Sequence, residues 1–127
     1  MTTYSGFIIG PKLSRGEILA LAELIPEPER FDWHHGTVQQ RRFVGRPIWR
    51  PSGDKVVRSE QSWFLWIEKE EGDGYDFTKL PMPEHLPIVV SLSTGCRLTL
   101  WDGFHRVALS IVNNIDPLHV RVGIERY

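Results

Sequence analysis

The chain has 127 residues, 41% hydrophobic and 24% charged, the size of one ordinary domain able to bury its own core. Fifteen Lys and Arg against sixteen Asp and Glu leave a formal net charge of −1, which excludes a uniformly basic nucleic-acid binder. The single cysteine, Cys96, excludes an internal disulfide framework and a cysteine-rich zinc site. No apolar run is long enough to span a bilayer as a helix. The opening MTTYSGFIIGPK lacks the basic start and apolar middle of a secretion signal, so a soluble, cytoplasmic protein is expected.

Phe7-Ile8-Ile9, closed by Gly10-Pro11, reads as a short strand or arm. Ser14-Arg15-Gly16-Glu17 has the form of a capping box. Leu19, Leu21, Ala22 and Ile25 follow before Pro26, which predicts a helix over 15–24. Four prolines make the next stretch irregular, with a strand expected over 39–44. Residues 62–69 contain Trp63, Phe64, Leu65, Trp66 and Ile67. That aromatic density favours a buried strand, with a short helix left open. Residues 70–74 read as a polar turn, and prolines 81, 83 and 87 mark a connector.

The last third is the most legible. Ile88-Val89-Val90-Ser91-Leu92 is a β-rich run, Ser93-Thr94-Gly95-Cys96 a turn, and Arg97-Leu98-Thr99-Leu100 alternates as a half-buried strand does. Together they predict a hairpin whose strand 88–92 offers an exposed edge, a route to a homodimer. Val107, Ala108, Ile111 and Val112 fall at helical spacing, which predicts a helix over 104–113. Residues 119–124 alternate again as a closing strand. The elements describe an α+β fold in a single domain, 1–127.

Charge is unevenly spread. Between Glu29 and Arg58 lie seven basic residues (Arg30, Arg41, Arg42, Arg46, Arg50, Lys55, Arg58) and three acidic ones. The stretch from Glu60 to Asp76 holds six acidic residues and one Lys. The plain reading is two solvated segments that partly neutralise each other. The sharper one is a basic face, with Phe43 and Trp49 interleaved, for nucleic acid or a phosphate-bearing ligand.

The chemistry concentrates in Leu100-Trp101-Asp102-Gly103-Phe104-His105-Arg106, a strand–turn–helix junction. Asp102 stands where a helix N-cap would be, and Gly103 permits a tight turn and close approach of a ligand to the backbone. A helix N-terminus favours an anion, whereas His105 and Arg106 in its first turn are disfavoured unless one is bound. The ligand this suggests is a phosphate, gripped by the fork of Arg106. The structural alternative makes Asp102 a cap, His105 a half-buried surface residue and Arg106 the partner of a nearby carboxylate.

These residues carry a family resemblance. Pro87-Ile88-Val89-Val90, the Asp102-Gly103-Phe104-His105-Arg106 turn opening a helix, and Val120-Arg121-Val122 resemble the ParB/sulfiredoxin-like superfamily over 87–124, while 1–86 is divergent. The resemblance implies a small mixed sheet with flanking helices. It also implies a nucleotide, ATP or CTP, whose phosphates lie on Gly103, Phe104, His105 and Arg106. Asp102 and His105 take catalytic roles in a phosphotransferase or nucleotide hydrolase, and Asp102 positions Mg²⁺ through the phosphates. A non-catalytic nucleotide switch, or a module binding nucleic acid or protein, is the other reading. Sulfiredoxins carry a reactive cysteine before the His-Arg pair, and Phe104 stands there instead, so thiol chemistry is not expected. Partition proteins continue into a helix-turn-helix domain, and a sequence closing at Tyr127 is not expected to supply one.

Other residues carry weaker signals. Arg41 and Arg42 are either surface arginines or accessory phosphate contacts. Trp101 is either core or a stacking surface for a base. Glu23 and Glu29 are candidate general bases. Asp32 with His34-His35 suggests a metal, but neighbouring strand residues point to opposite faces, so a polar turn is the plainer reading.

Overall fold

Alternation along the strands sorts side chains onto two faces of one sheet, and helices cover the apolar parts. The computed structural model describes residues 2–74, 88–95 and 97–126. These form strands β1 (Thr2–Tyr4), β2 (Phe7–Lys12), β3 (Phe31–Val38), β4 (Pro47–Trp49), β5 (Lys55–Val57), β6 (Ile88–Ser93), β7 (Arg97–Asp102) and β8 (Leu118–Glu125). The helices are α1 (Arg15–Leu21), α2 (Glu60–Gly72) and α3 (Phe104–Asn113). The eight strands make a single mixed sheet in the order β1-β2-β3-β8-β6-β7-β4-β5, with β6–β8 and β4–β7 parallel and the other pairs antiparallel. Strands from the divergent first part and from the last third therefore share one sheet. No helix among the described residues is long and apolar enough to cross a membrane. The connector 81–87 and Cys96 lie outside the described residues.

Strand β6 is internal, bonded to β8 on one side and β7 on the other. This corrects the expectation of an exposed edge at 88–92. All five residues from Ile88 to Leu92 are buried, and a near-continuous apolar run is the signature of a strand covered on both faces. The edges belong instead to β1 and β5, three residues each, and edges this short limit pairing with other chains.

On one face, α2 and α3 bring Trp63, Ile67, Val107 and Ala108 into a core with Val90, Leu98, Leu100, Val120 and Val122. On the other face a smaller cluster joins Leu21 and Ile25, at and beyond the end of α1, to Phe31, Trp33 and Val89.

Two further expectations are corrected here. Residues 62–69 are not a strand but lie within α2, which starts at the Ser59 cap, whose hydroxyl accepts the Ser62 amide at 3.1 Å. Trp63 and Ile67, four apart, are buried, whereas Leu65 is 59% exposed. Burial thus follows the helical repeat and not the two-residue repeat of a strand. The helix also runs through the expected polar turn as far as Gly72. Residues 39–44 form a 3-10 turn, Gln40–Phe43, because only Phe43 finds the core and the Gln40 amide is taken by the Asp116 carboxylate at 3.0 Å.

Helix α1 ends at Leu21, three residues short of the expected bound, and its capping box is complete. The Ser14 amide donates to Glu17 Oε1 at 2.8 Å, and the Glu17 amide donates to Ser14 Oγ at 3.2 Å. The Ser14 hydrogen bonds, with His35 adding, hold the Glu17 carboxyl below the ordinary carboxylate range. A lowered folded-state value means that Glu17 stabilises the fold above its unfolded pKa, and that this is lost as pH falls through the folded value. Glu17→Gln should accordingly destabilise the protein at neutral pH and flatten the acid limb of stability against pH. Urea titrations across the acid range check this, and parallel curves for the two proteins would contradict it.

Candidate functional site

The junction between β7 and α3 is shaped by a bulge. Val90 pairs with Leu100 but Val89 pairs with Asp102, so Trp101 is an extra residue on β7. A bulge of this kind re-aims the residues that follow it. Gly103 comes next with φ 111°, a left-handed conformation, and it is the N-cap of α3. A Cβ at Gly103 would lie 2.9 Å from Ile88 Cγ1, so glycine is required here by the approach of β6 as well as by its backbone.

Asp102 is not the cap. Its Oδ2 accepts from Arg106 Nη2 at 2.8 Å across one helical turn. The Arg106 side chain is largely buried while Asp102 is about half exposed. The N-cap of α3, Gly103, supplies no side-chain cap of its own. His105 Nε2 lies 3.6 Å from Glu70 Oε1 of α2, and its ring is 5.1 Å from that of Trp66. Phe104 joins Trp63 and Trp66 in an aromatic cluster with ring centroids 6.1 and 6.4 Å away.

Two residues that the sequence did not connect to this turn complete it. Arg50 lies 5.0 Å over the ring of Phe104. Arg58 lies 5.5 Å from Trp63 and 5.4 Å from Trp66. Among the described residues neither forms a salt bridge within 4 Å, and the Nε of each is buried without a hydrogen-bond partner. Burial first, then the charge of Arg50, push the Arg58 guanidinium below its ordinary range, with Glu70 pulling the other way. Two cations are thus held close together on aromatic faces beside a helix N-terminus. The topology explains the meeting: β4 runs parallel to β7, with Ile48 opposite Leu98 and Trp49 opposite Thr99. Arg50, just past β4, therefore leaves the sheet at the end where Asp102 leads into α3. Arg50 and Arg58 were visible as members of the basic stretch, but Trp66 and Glu70 carried no sequence signal linking them to the turn.

Other sequence candidates are placed elsewhere. Gln40, at the head of the 3-10 turn bearing Arg41 and Arg42, bonds Asn114 and Asp116 beyond the C-terminal end of α3. Arg42 itself lies against Gly6, where a Cβ would come within 2.8 Å of its Nε. A ten-residue helix is about 15 Å long, so that turn sits at the far end from Gly103. Trp101 donates its indole N–H to Ser91 Oγ at 2.9 Å and packs with the α1-side cluster, away from α3. Trp66 is the half-buried tryptophan beside the turn. Glu23 follows α1, and Glu29 lies in the turn whose Pro28 carbonyl accepts the Trp33 indole, so both belong to the α1 side.

His34, His35 and Asp32 have separate partners: the Gly10 carbonyl at 3.1 Å, Glu17 at 3.2 Å and Arg126 at 2.8 Å. Among the described residues no group of three His, Cys, Asp or Glu is placed to hold a metal ion. The residues of the basic stretch have different partners, although Arg30 and Arg50 line one groove. Arg30 pairs with Glu125, Arg46 bonds Ser5 of the first hairpin, Lys55 lies over Trp49, and Arg50 and Arg58 sit at α3. No protein-family model, curated protein or solved structure matches the chain.

Proposed function

We propose that this chain is a nucleotide-binding domain of the ParB/sulfiredoxin-like kind, holding the phosphates of ATP or CTP at the start of α3. The observation that carries the reading is the convergence of Arg50 and Arg58 with His105 and Arg106 at the N-terminus of α3. The helix dipole favours an anion there. Arg50 and Arg58 are half-buried with their Nε atoms unpartnered, and a bound polyphosphate would offset their mutual repulsion. Amides at the start of α3 donate to phosphate oxygens in this reading, and Arg50, Arg58 and Arg106 neutralise the charge. Asp102, a single exposed carboxylate, suits a Mg²⁺ ion held mainly by the phosphates.

His105, next to Glu70, is the group for proton transfer, and Asp102 orients the attacking water or acceptor hydroxyl. In the hydrolase form, water attacks the terminal phosphorus, the bond to the bridging oxygen breaks, and the diphosphate leaves with the electron pair. The proton of the water passes to His105. Catalysis is then mainly positioning and charge neutralisation. The switch reading has its own support. Arg106 is already paired with Asp102, so an incoming phosphate would exchange one ionic partner for another with no covalent step.

Calorimetric titration with ATP and CTP, with and without Mg²⁺, tests the binding. Saturable binding of either nucleotide is expected, and heat from neither would reduce the turn to a structural junction. Asp102→Asn separates the two readings. Freeing Arg106 should tighten Mg²⁺-free binding about three- to tenfold, while phosphate release should fall about a hundredfold or more if Asp102 serves the chemistry. Unchanged release with tighter binding would take Asp102 out of catalysis.

A further inference from the structure

Beyond the cluster under α1, the second face of the sheet changes character. Alternation turns Ser91 and Ser93 of β6, Arg97, Thr99 and Trp101 of β7, and Trp49 of β4 away from the α2–α3 core. The register sets Trp49 opposite Thr99, Thr99 opposite Ser91, and Arg97 opposite Ser93. These hydroxyls lie in a groove of about 400 Å³, closed on one side by the β4–β5 turn and on the other by the segment at Arg30 and Phe31. The volume is at the low end for small-ligand sites. Ser91 is 1% exposed and its hydroxyl accepts from the Trp101 indole, which leaves the serine proton to donate. Glu125 is fixed at the rim by Thr94 at 3.0 Å and Arg30 at 3.1 Å. Arg97 stacks on Trp49 with its guanidinium 3.8 Å from the ring centroid and has no ion pair among the described residues. Stacking holds the guanidinium plane while leaving its N–H edges to bond an anion.

A face meant for a covering helix would be apolar, and this one presents hydroxyls. We infer that the groove binds a small anionic sugar, with Arg97 on its phosphate or carboxylate. Ser93, Thr99 and Glu125 bond its hydroxyls, and the ring of Trp101 lies against its C–H face. The groove lies on the opposite side of the sheet from α3; Arg50, at its rim, also reaches Phe104, whereas Arg58 does not line it.

The test follows the indole N–H signals of the full chain by NMR during titration with glucose 6-phosphate, galacturonate, glucose and inorganic phosphate. Either anionic sugar should shift the Trp101 signal saturably at millimolar concentration or below. Arg97→Gln should weaken that binding about tenfold or more. Thr99→Val should weaken it severalfold, and Arg58→Gln should leave it unchanged. Glucose 6-phosphate responding without galacturonate assigns the anion as phosphate, and the reverse assigns it as carboxylate. No saturable shift with either sugar, undiminished binding in Arg97→Gln, or inorganic phosphate binding as tightly as the sugar phosphate would each overturn the inference.

Discussion

The double variant Arg50→Gln/Arg58→Gln is expected to bind ATP or CTP at least about a hundredfold more weakly than the native protein, with its melting temperature unchanged or raised. The first part follows from losing two charge-assisted contacts, each worth about 1.5–3 kcal/mol, where 1.4 kcal/mol is about tenfold in affinity. The second follows from the ligand-free arrangement. Both Nε atoms are buried without partners, and burial together with Arg50 disfavours the charge on Arg58. Replacing the pair relieves repulsion and desolvation. The loss of cation–π contacts to Phe104, Trp63 and Trp66 opposes this by about 0.5–1 kcal/mol each. A residue pair kept for function at a cost in stability shows this signature. A large fall in melting temperature with undiminished nucleotide binding would make the pair a structural clamp and remove the main support for the phosphate site. Calorimetry and thermal denaturation of the same preparation decide it.

Trp63→Ala is expected to cost about 3–5 kcal/mol, a large share of the roughly 5–15 kcal/mol that holds a domain folded. Trp63 is fully buried and donates its indole N–H to the Phe43 carbonyl at 3.2 Å. It also packs edge-on against Trp66, 5.9 Å away, and against Phe104 of α3. Removing it opens a cavity where α2, α3 and the Gln40–Phe43 turn meet and leaves the Phe43 carbonyl without that donor. Leu65→Ala, two residues on, should change stability by less than about 1 kcal/mol because Leu65 is 59% exposed. The contrast between the two also tests the helical assignment. In a strand, residues 63 and 65 would share a face and their truncations would be similarly costly. Urea midpoints for the two variants give the answer directly. Trp63→Phe, which keeps most of the volume, should recover much of the loss.

Where an element is set by near neighbours, it was legible. The Ser14–Glu17 capping box marked the start of α1, and the spacing of Val107, Ala108, Ile111 and Val112 bounded α3 at Phe104–Asn113. The run from Ile88 to Leu92 announced a strand, but its pairing on both sides, which makes it internal rather than an edge, depends on β8 and was not legible. Helix α2 was misjudged because aromatic residues are frequent in strands, and the Ser59 cap lacks the glutamate or glutamine of a full capping box. The Asp102–Arg106 turn stood out from composition alone, yet its internal wiring did not. The sequence allowed Asp102 as a cap or as the partner of Arg106, and only the left-handed Gly103 made it the partner.

By itself, then, the sequence determined the hairpin, the helix that follows it, the closing strand and the turn that concentrates charge, since each depends on residues a few positions apart. The tertiary structure decided the company that turn keeps. Parallel pairing of β4 with β7 carries Arg50 across about fifty residues of chain to Phe104, while Arg41 and Arg42, equally basic, fall near the other end of α3. Sheet order also brought Trp49, Thr99 and Ser91 side by side and opened the hydroxyl-lined groove there. Strand order and facing are set by burying many side chains together, and no local window of sequence contains that sum.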